Sequence, residues 1–230
     1  RPCATNSPWR DGATARKRER TGAPAGEIKT PEAPWLNDIA VAKDGTIYAS
    51  QTGSAAQNVA MRVYKITPAG VATVFLESPV VNSPNGVAID NDGNIVVVNM
   101  GVDEVLTVSP AGQVLKTEKA AMAGNDGIVI MRDGTKYLSS VQRGGVSRIR
   151  PGRPAELIAS GVPMAASMCY DSGANQLVIP MNSNNALAFI KLNAELARLP
   201  GWKSITKRKA PLPDADDWKD QTGKLSQLAR

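Results

Sequence analysis

Asn37, Asn85 and Asp126 bring an amide, an amide and a carboxylate to recurring places in this chain. Aligned on the Asp-Gly turns that follow them, successive units put Asn37, Asn85, Asp126 and Ala166 at roughly equivalent positions. Oxygen donors converging from separate units suit a hard cation such as Ca²⁺, Mg²⁺ or Mn²⁺. The competing reading is that Asn and Gly precede strands because they make turns. Spacing alone leaves both standing.

Histidine is absent from all 230 residues. That removes Ser-His-Asp triads, His-ligated zinc and any His base. Chemistry must then run through carboxylates, amides, Lys, Tyr, Cys or a hard metal. The loop of Gln142, Arg143, Gly144 and Gly145 follows a predicted second strand and reads either as a solvated loop or as one that offers a cation toward a mouth. Asn182, Asn184 and Asn185 read as turn residues, and Met164, Met168 and Met181 as packing.

The elements that must position these groups are short strands. Ser83-Pro84-Asn85-Gly86-Val87-Ala88-Ile89-Asp90 leads through Asn91-Asp92-Gly93 into Asn94 to Asn99, a strand, a tight turn and a second, more apolar strand. Variants recur upstream and downstream. The turn glycines 45, 93 and 134 lie 48 and 41 residues apart, and the later turn prolines 68, 110 and 151 lie 42 and 41 apart. Asp-Gly between alternating apolar runs is a strong hairpin signal. Four strands per unit of about 40–45 residues predict an all-β fold, a β-propeller of four-stranded antiparallel blades. Four units are recognisable between Leu36 and Leu192, and no unit shows a helical period.

Composition agrees. Only 4% of residues are aromatic, and 42% are hydrophobic, a mix suited to many short Val- and Ile-rich strands. No apolar run approaches the roughly 20 residues that span a bilayer. The net charge of +6 is concentrated at Arg10 to Arg20 and Arg198 to Lys209. These basic runs read as solvated ends; no stacking platform or nucleic-acid module accompanies them, so nucleic acid is not the expected partner. Of the two cysteines, Cys3 and Cys169, the second reads as an inert thiol in an apolar strand. Three segments are expected: a basic, unstructured leader over residues 1–31, propeller repeats over 32–195, and a charged tail over 196–230.

The segments Leu36-Asn37-Asp38, Ser83-Pro84-Asn85-Gly86 and Asn125-Asp126-Gly127, each followed by a strand, a Gly turn and a second strand, resemble the senescence marker protein/regucalcin/gluconolactonase family. That family is a six-bladed β-propeller. The resemblance implies a metal-dependent hydrolase of lactones or related esters, with Asn85 and Asp126 as ligands of one divalent cation. Ca²⁺ is the first expectation, with Zn²⁺, Mn²⁺ and Mg²⁺ as alternatives. Asp126 would also be the catalytic base, and Asn37 would contact a small-molecule substrate such as a lactone or a metal-bound water. Arg143 is a further candidate substrate contact from its loop position, not from the resemblance. The family's first-blade Glu ligand has only Glu32 as a counterpart here, a poor match because it precedes Asn37 on the same repeat. Four blades against six also raise the expectation of missing blades and self-association through open strand edges. The competing reading is a non-catalytic, NHL-like propeller that binds a small ligand or a protein at its mouth.

Overall fold

The computed structural model describes residues 14–18, 21–30, 33–192 and 206–209. Four antiparallel four-stranded sheets follow one another along the chain in a propeller arrangement. Blade 1 holds β3 (Leu36–Val41), β4 (Ile47–Gln51), β5 (Arg62–Ile66) and β6 (Ala72–Leu76). Blade 2 holds β7 (Pro84–Ile89), β8 (Ile95–Asn99), β9 (Glu104–Val108) and β10 (Val114–Lys119). Blade 3 holds β11 (Asn125–Ile130), β12 (Lys136–Ser140), β13 (Gly145–Ile149) and β14 (Glu156–Ser160). Blade 4 holds β15 (Cys169–Asp171), β16 (Gln176–Met181), β17 (Ala186–Lys191) and β18 (Thr206–Lys209). The first strands β3, β7, β11 and β15 pack on one another in succession.

Strand periodicity explains the seams. Side chains of a strand alternate between its two faces, and a blade is covered on both. In β8 every residue is buried. Ile95 and Val97 enter the cluster shared with blade 1, which contains Tyr48, Val63 and Leu76. Val96 and Val98 enter the cluster shared with blade 3, which contains Leu138 and Ile149. A near-continuous apolar run is what a strand buried on both faces requires. A third cluster joins Tyr137 and Val146 of blade 3 to Leu177, Ile179 and Ile190 of blade 4.

Residues 1–31 do not form a uniformly unstructured leader. β1 (Thr14–Arg18) and β2 (Pro24–Lys29) pair as an antiparallel hairpin. Ile28 of β2 is buried against Ala49, Tyr64 and Ile66 of blade 1. It is the one buried residue of β2, so the strand carries no apolar alternation to read. The charged tail likewise contributes structure, since Thr206–Lys209 adds the fourth strand to blade 4 on the edge of β17. Cys169 is half-buried and disulfide-bonded rather than a free thiol; Cys3 lies outside the described residues. Among the described residues no helix is long and apolar enough to cross a membrane.

Candidate functional site

Each inner strand enters its blade through the same irregularity. Leu36 pairs with Gln51 and Ile39 with Ala49; Pro84 pairs with Asn99 and Val87 with Val97; Asn125 pairs with Ser140 and Ile128 with Leu138. Three steps on one strand oppose two on the other, which is a β-bulge, a device that re-aims side chains at a strand end. The first bulge residue is Asn37, Asn85 or Asp126, so these three do occupy one ring position. In blade 4, Cys169 pairs with Val178, Ala165 bridges Met181, and the Ala166 N–H donates to Pro180 O. The same extra residue is present, and it makes Ser167, not Ala166, the fourth member. The slip has a simple origin. Val41, Ile89 and Ile130 pair six residues ahead, with Ile47, Ile95 and Lys136, but Asp171 pairs five ahead, with Gln176. Counting back from the fourth turn is therefore off by one.

The second bulge residue sets how closely the blades approach. It is Gly86 in blade 2 and Gly127 in blade 3. A Cβ on Gly86 would collide with the Asp126 carbonyl oxygen, and one on Gly127 would stand 2.6 Å from Ser167 Cα. Backbone against backbone at these two seams brings the bulge side chains together. Asn85 Nδ2 donates to Asp126 Oδ2 at 3.3 Å, and Ser167 Oγ donates to Asp126 Oδ1 at 3.4 Å. Asn85 and Asp126 are only 3% and 7% exposed. The Asn85 Oδ1 atom is buried without a hydrogen-bond partner, an unusual state for a buried amide oxygen.

A second carboxylate belongs to the same mouth. Asp38, the second bulge residue of blade 1, accepts the Ile39 N–H at 2.9 Å on one oxygen and the Val87 N–H at 3.0 Å on the other. Burial pushes its carboxyl above the ordinary value, against the pull of these two bonds. Asp126 is pushed from 3.8 up to about 6, first by burial and then by the negative charge of Asp38; the bonds from Ser167 and Asn85 pull the other way.

Other sequence-derived candidates fall differently. Asn37 shares the ring position but donates through Nδ2 to Thr52 Oγ1 at 3.0 Å, and Thr52 donates to Pro84 O at 3.1 Å. Arg143 sits in the β12–β13 turn, and the pairing of Asn125 with Ser140 puts that turn at the same end of blade 3 as Asp126. Its side chain is exposed and its N–H donates to Ser140 Oγ. Glu32 lies outside the described residues. Among the described residues no group of three or more His, Cys, Asp or Glu gathers as a metal cluster.

The sequence profile of the SMP-30/Gluconolactonase/LRE-like region matches residues 24–181. The chain belongs to this family. A second profile, a domain of unknown function (DUF3470), matches residues 187–230. Among solved structures, virginiamycin B lyase from Staphylococcus aureus superposes with a TM-score of 0.67 at 15% identity, over 90% of this chain and 66% of that one. A streptogramin B lyase gives 0.59 at 16% identity, over 82% and 65%. A structural-genomics target assigned as a gluconolactonase gives 0.58 at 16%, over 76% and 67%. At such identities these likenesses show the propeller fold alone, and the chain spans about two thirds of each relative's length. The profile match spans the Asn85 and Asp126 bulges. A Staphylococcus aureus lyase described as catalytically inactive carries a histidine-to-alanine change, whereas this chain has no histidine.

Proposed function

We propose that this protein is a divalent-metal-dependent hydrolase of lactones or related esters, acting at the mouth lined by Asn85 and Asp126. The observation that carries this reading is the buried Asp126 carboxylate beside an Asn85 amide whose oxygen has no partner. Carboxylate and amide oxygens are the donors a hard cation takes. A half-turn of an amide exchanges its oxygen and nitrogen, so the unpartnered Oδ1 can replace Nδ2 beside Asp126. Such donors suit a hard cation, Ca²⁺ as first choice with Zn²⁺, Mn²⁺ or Mg²⁺ as alternatives, which Asn85, Asp126 and water would hold. When bound, such a cation supplies Lewis acidity toward an ester carbonyl.

The chain's own residues supply the rest. With its carboxyl held near 6, Asp126 is ionised at neutral pH yet more basic than an ordinary carboxylate, which suits a base that takes a proton from water. Ser167 and Asn85 hold its two oxygens in place. Asn37 and the exposed Arg143 are the candidate donors to the substrate. The absence of histidine is compatible with a carboxylate base at this site.

A second reading, a non-catalytic NHL-like propeller that binds a small ligand or protein, is favoured by one observation. The Asn85 amide already donates to Asp126, so the pair is held together by its own hydrogen bond. Hydrolysis assays over a panel of sugar and aliphatic lactones, with and without added cation, separate the two. Cation-dependent turnover that is lost in Asp126→Ala supports the hydrolase. Saturable ligand binding without turnover supports the binding module.

A further inference from the structure

We infer that Asp38 is a positioning residue for the mouth: its carboxylate reaches across the seam between blades 1 and 2 and fixes the bulge that presents Asn85. The inference rests on the reading of Asn85 and Asp126 as a cation site.

The ring position of Asp38 is the starting observation. In blades 2 and 3 the same position must be glycine, because the next inner strand lies against it. Blade 1 instead carries a side chain there, and that side chain spans the seam.

β7 is the edge strand of its blade, so N–H groups on its free side have no ladder partner, and a backbone donor inside the fold needs an acceptor. The Val87 N–H, directly after the Asn85–Gly86 bulge, finds Asp38 Oδ2 at 3.0 Å. The other Asp38 oxygen is occupied by the Ile39 N–H at 2.9 Å. With both oxygens engaged, the carboxyl group is held against rotation.

Ser50 completes the bracket. Its hydroxyl accepts the Asp38 N–H at 3.0 Å and donates to the Asn85 carbonyl oxygen. Blade 1 thus grips the blade 2 bulge at two points, the carbonyl of Asn85 and the N–H of Val87. The backbone that follows the Asn85 Cα is thus held by Ser50 and Asp38 together. An amide at position 38 would keep one acceptor oxygen and turn an NH₂ group toward one of the two N–H donors.

The test titrates Ca²⁺ and Mn²⁺ calorimetrically into the parent chain, Asp38→Asn, Asp38→Glu and Asp126→Ala. Amide exchange at Val87 and the Asn85 side-chain NH₂ resonances are followed in the same chains without cation. The expected result is faster Val87 exchange, shifted Asn85 resonances and cation affinity weakened by about 10-fold or more in Asp38→Asn, with unchanged strand content by circular dichroism. Asp38→Glu keeps the charge but displaces the oxygens, so it is expected to weaken binding as well; parent-like affinity in Asp38→Glu would reduce Asp38 to a distant charge and overturn the positioning role. Parent-like affinity and unmoved Asn85 resonances in Asp38→Asn would also overturn it while leaving the cation site intact. Absence of binding by the parent chain would overturn the site reading itself, and the inference with it.

Discussion

Asn85 Nδ2 stands 3.3 Å from Asp126 Oδ2, although 41 residues separate them in sequence. One blade is about that long, and the contact exists because both residues open the same bulge in adjacent inner strands. Gly86 lets the two strands meet there, since any side chain at that position would occupy the space of the Asp126 carbonyl.

Asp126 dictates a pH dependence of stability. Its carboxyl sits at about 6 in the folded chain against an ordinary 3.8, so the folded state holds the proton more tightly than the unfolded state. Stability contributed by the protonated group is full below the lower value, is lost as pH rises between the two, and stays lost above. A gap of about 2 units corresponds to about 3 kcal/mol. Asp126→Asn, which cannot ionise, is expected to melt higher than the parent at neutral pH in the presence of a chelator, by roughly 5–10 °C. The advantage should vanish near pH 3.5. Calorimetric melting across this range checks it; a variant that melts lower at neutral pH would contradict it.

Ser167→Ala acts in the opposite sense. Its hydroxyl donates to Asp126 Oδ1 and favours the ionised carboxylate. Removing it should raise the Asp126 midpoint above the parent's, while costing about 1 kcal/mol or less of stability because the bond is long. An NMR titration of the Asp126 carboxyl carbon reads the shift. An unchanged midpoint would show that the Ser167 hydroxyl does not act on the Asp126 carboxyl.

Gly86→Ala should damage the fold and the mouth together. The added methyl would meet the Asp126 carbonyl, backbone that has little room to yield. A cost of about 3 kcal/mol is expected, read as a lower urea midpoint. A parent-like midpoint would show that the seam between blades 2 and 3 is looser than described.

Much of this was legible in the residues themselves. Asp-Gly turns between alternating runs mark β7 and β8, β3 and β4, and β11 and β12, because hairpin chemistry is local. The ring equivalence of Asn37, Asn85 and Asp126 follows from the same turns. What escaped depends on distance rather than sequence. The β1–β2 hairpin is anchored by Ile28 alone on its β2 strand, and β18 is the basic run Thr206–Lys209, with no apolar alternation to mark it as a strand. Ser167 was displaced by one position because the fourth turn is a residue shorter. The reach of Asp38 to Val87 exists only once two blades are side by side. The assignment of Asn37 as a substrate or cation contact now competes with its bond to Thr52.

The central claim is that Asn85 and Asp126 share a cation. Isothermal titration of Ca²⁺ into the chelator-stripped chain, alongside Asp126→Ala, tests it most directly. The account predicts saturable binding near one ion per chain in the parent and its loss in the variant. No saturable binding in the parent, or equal binding in Asp126→Ala, would contradict it.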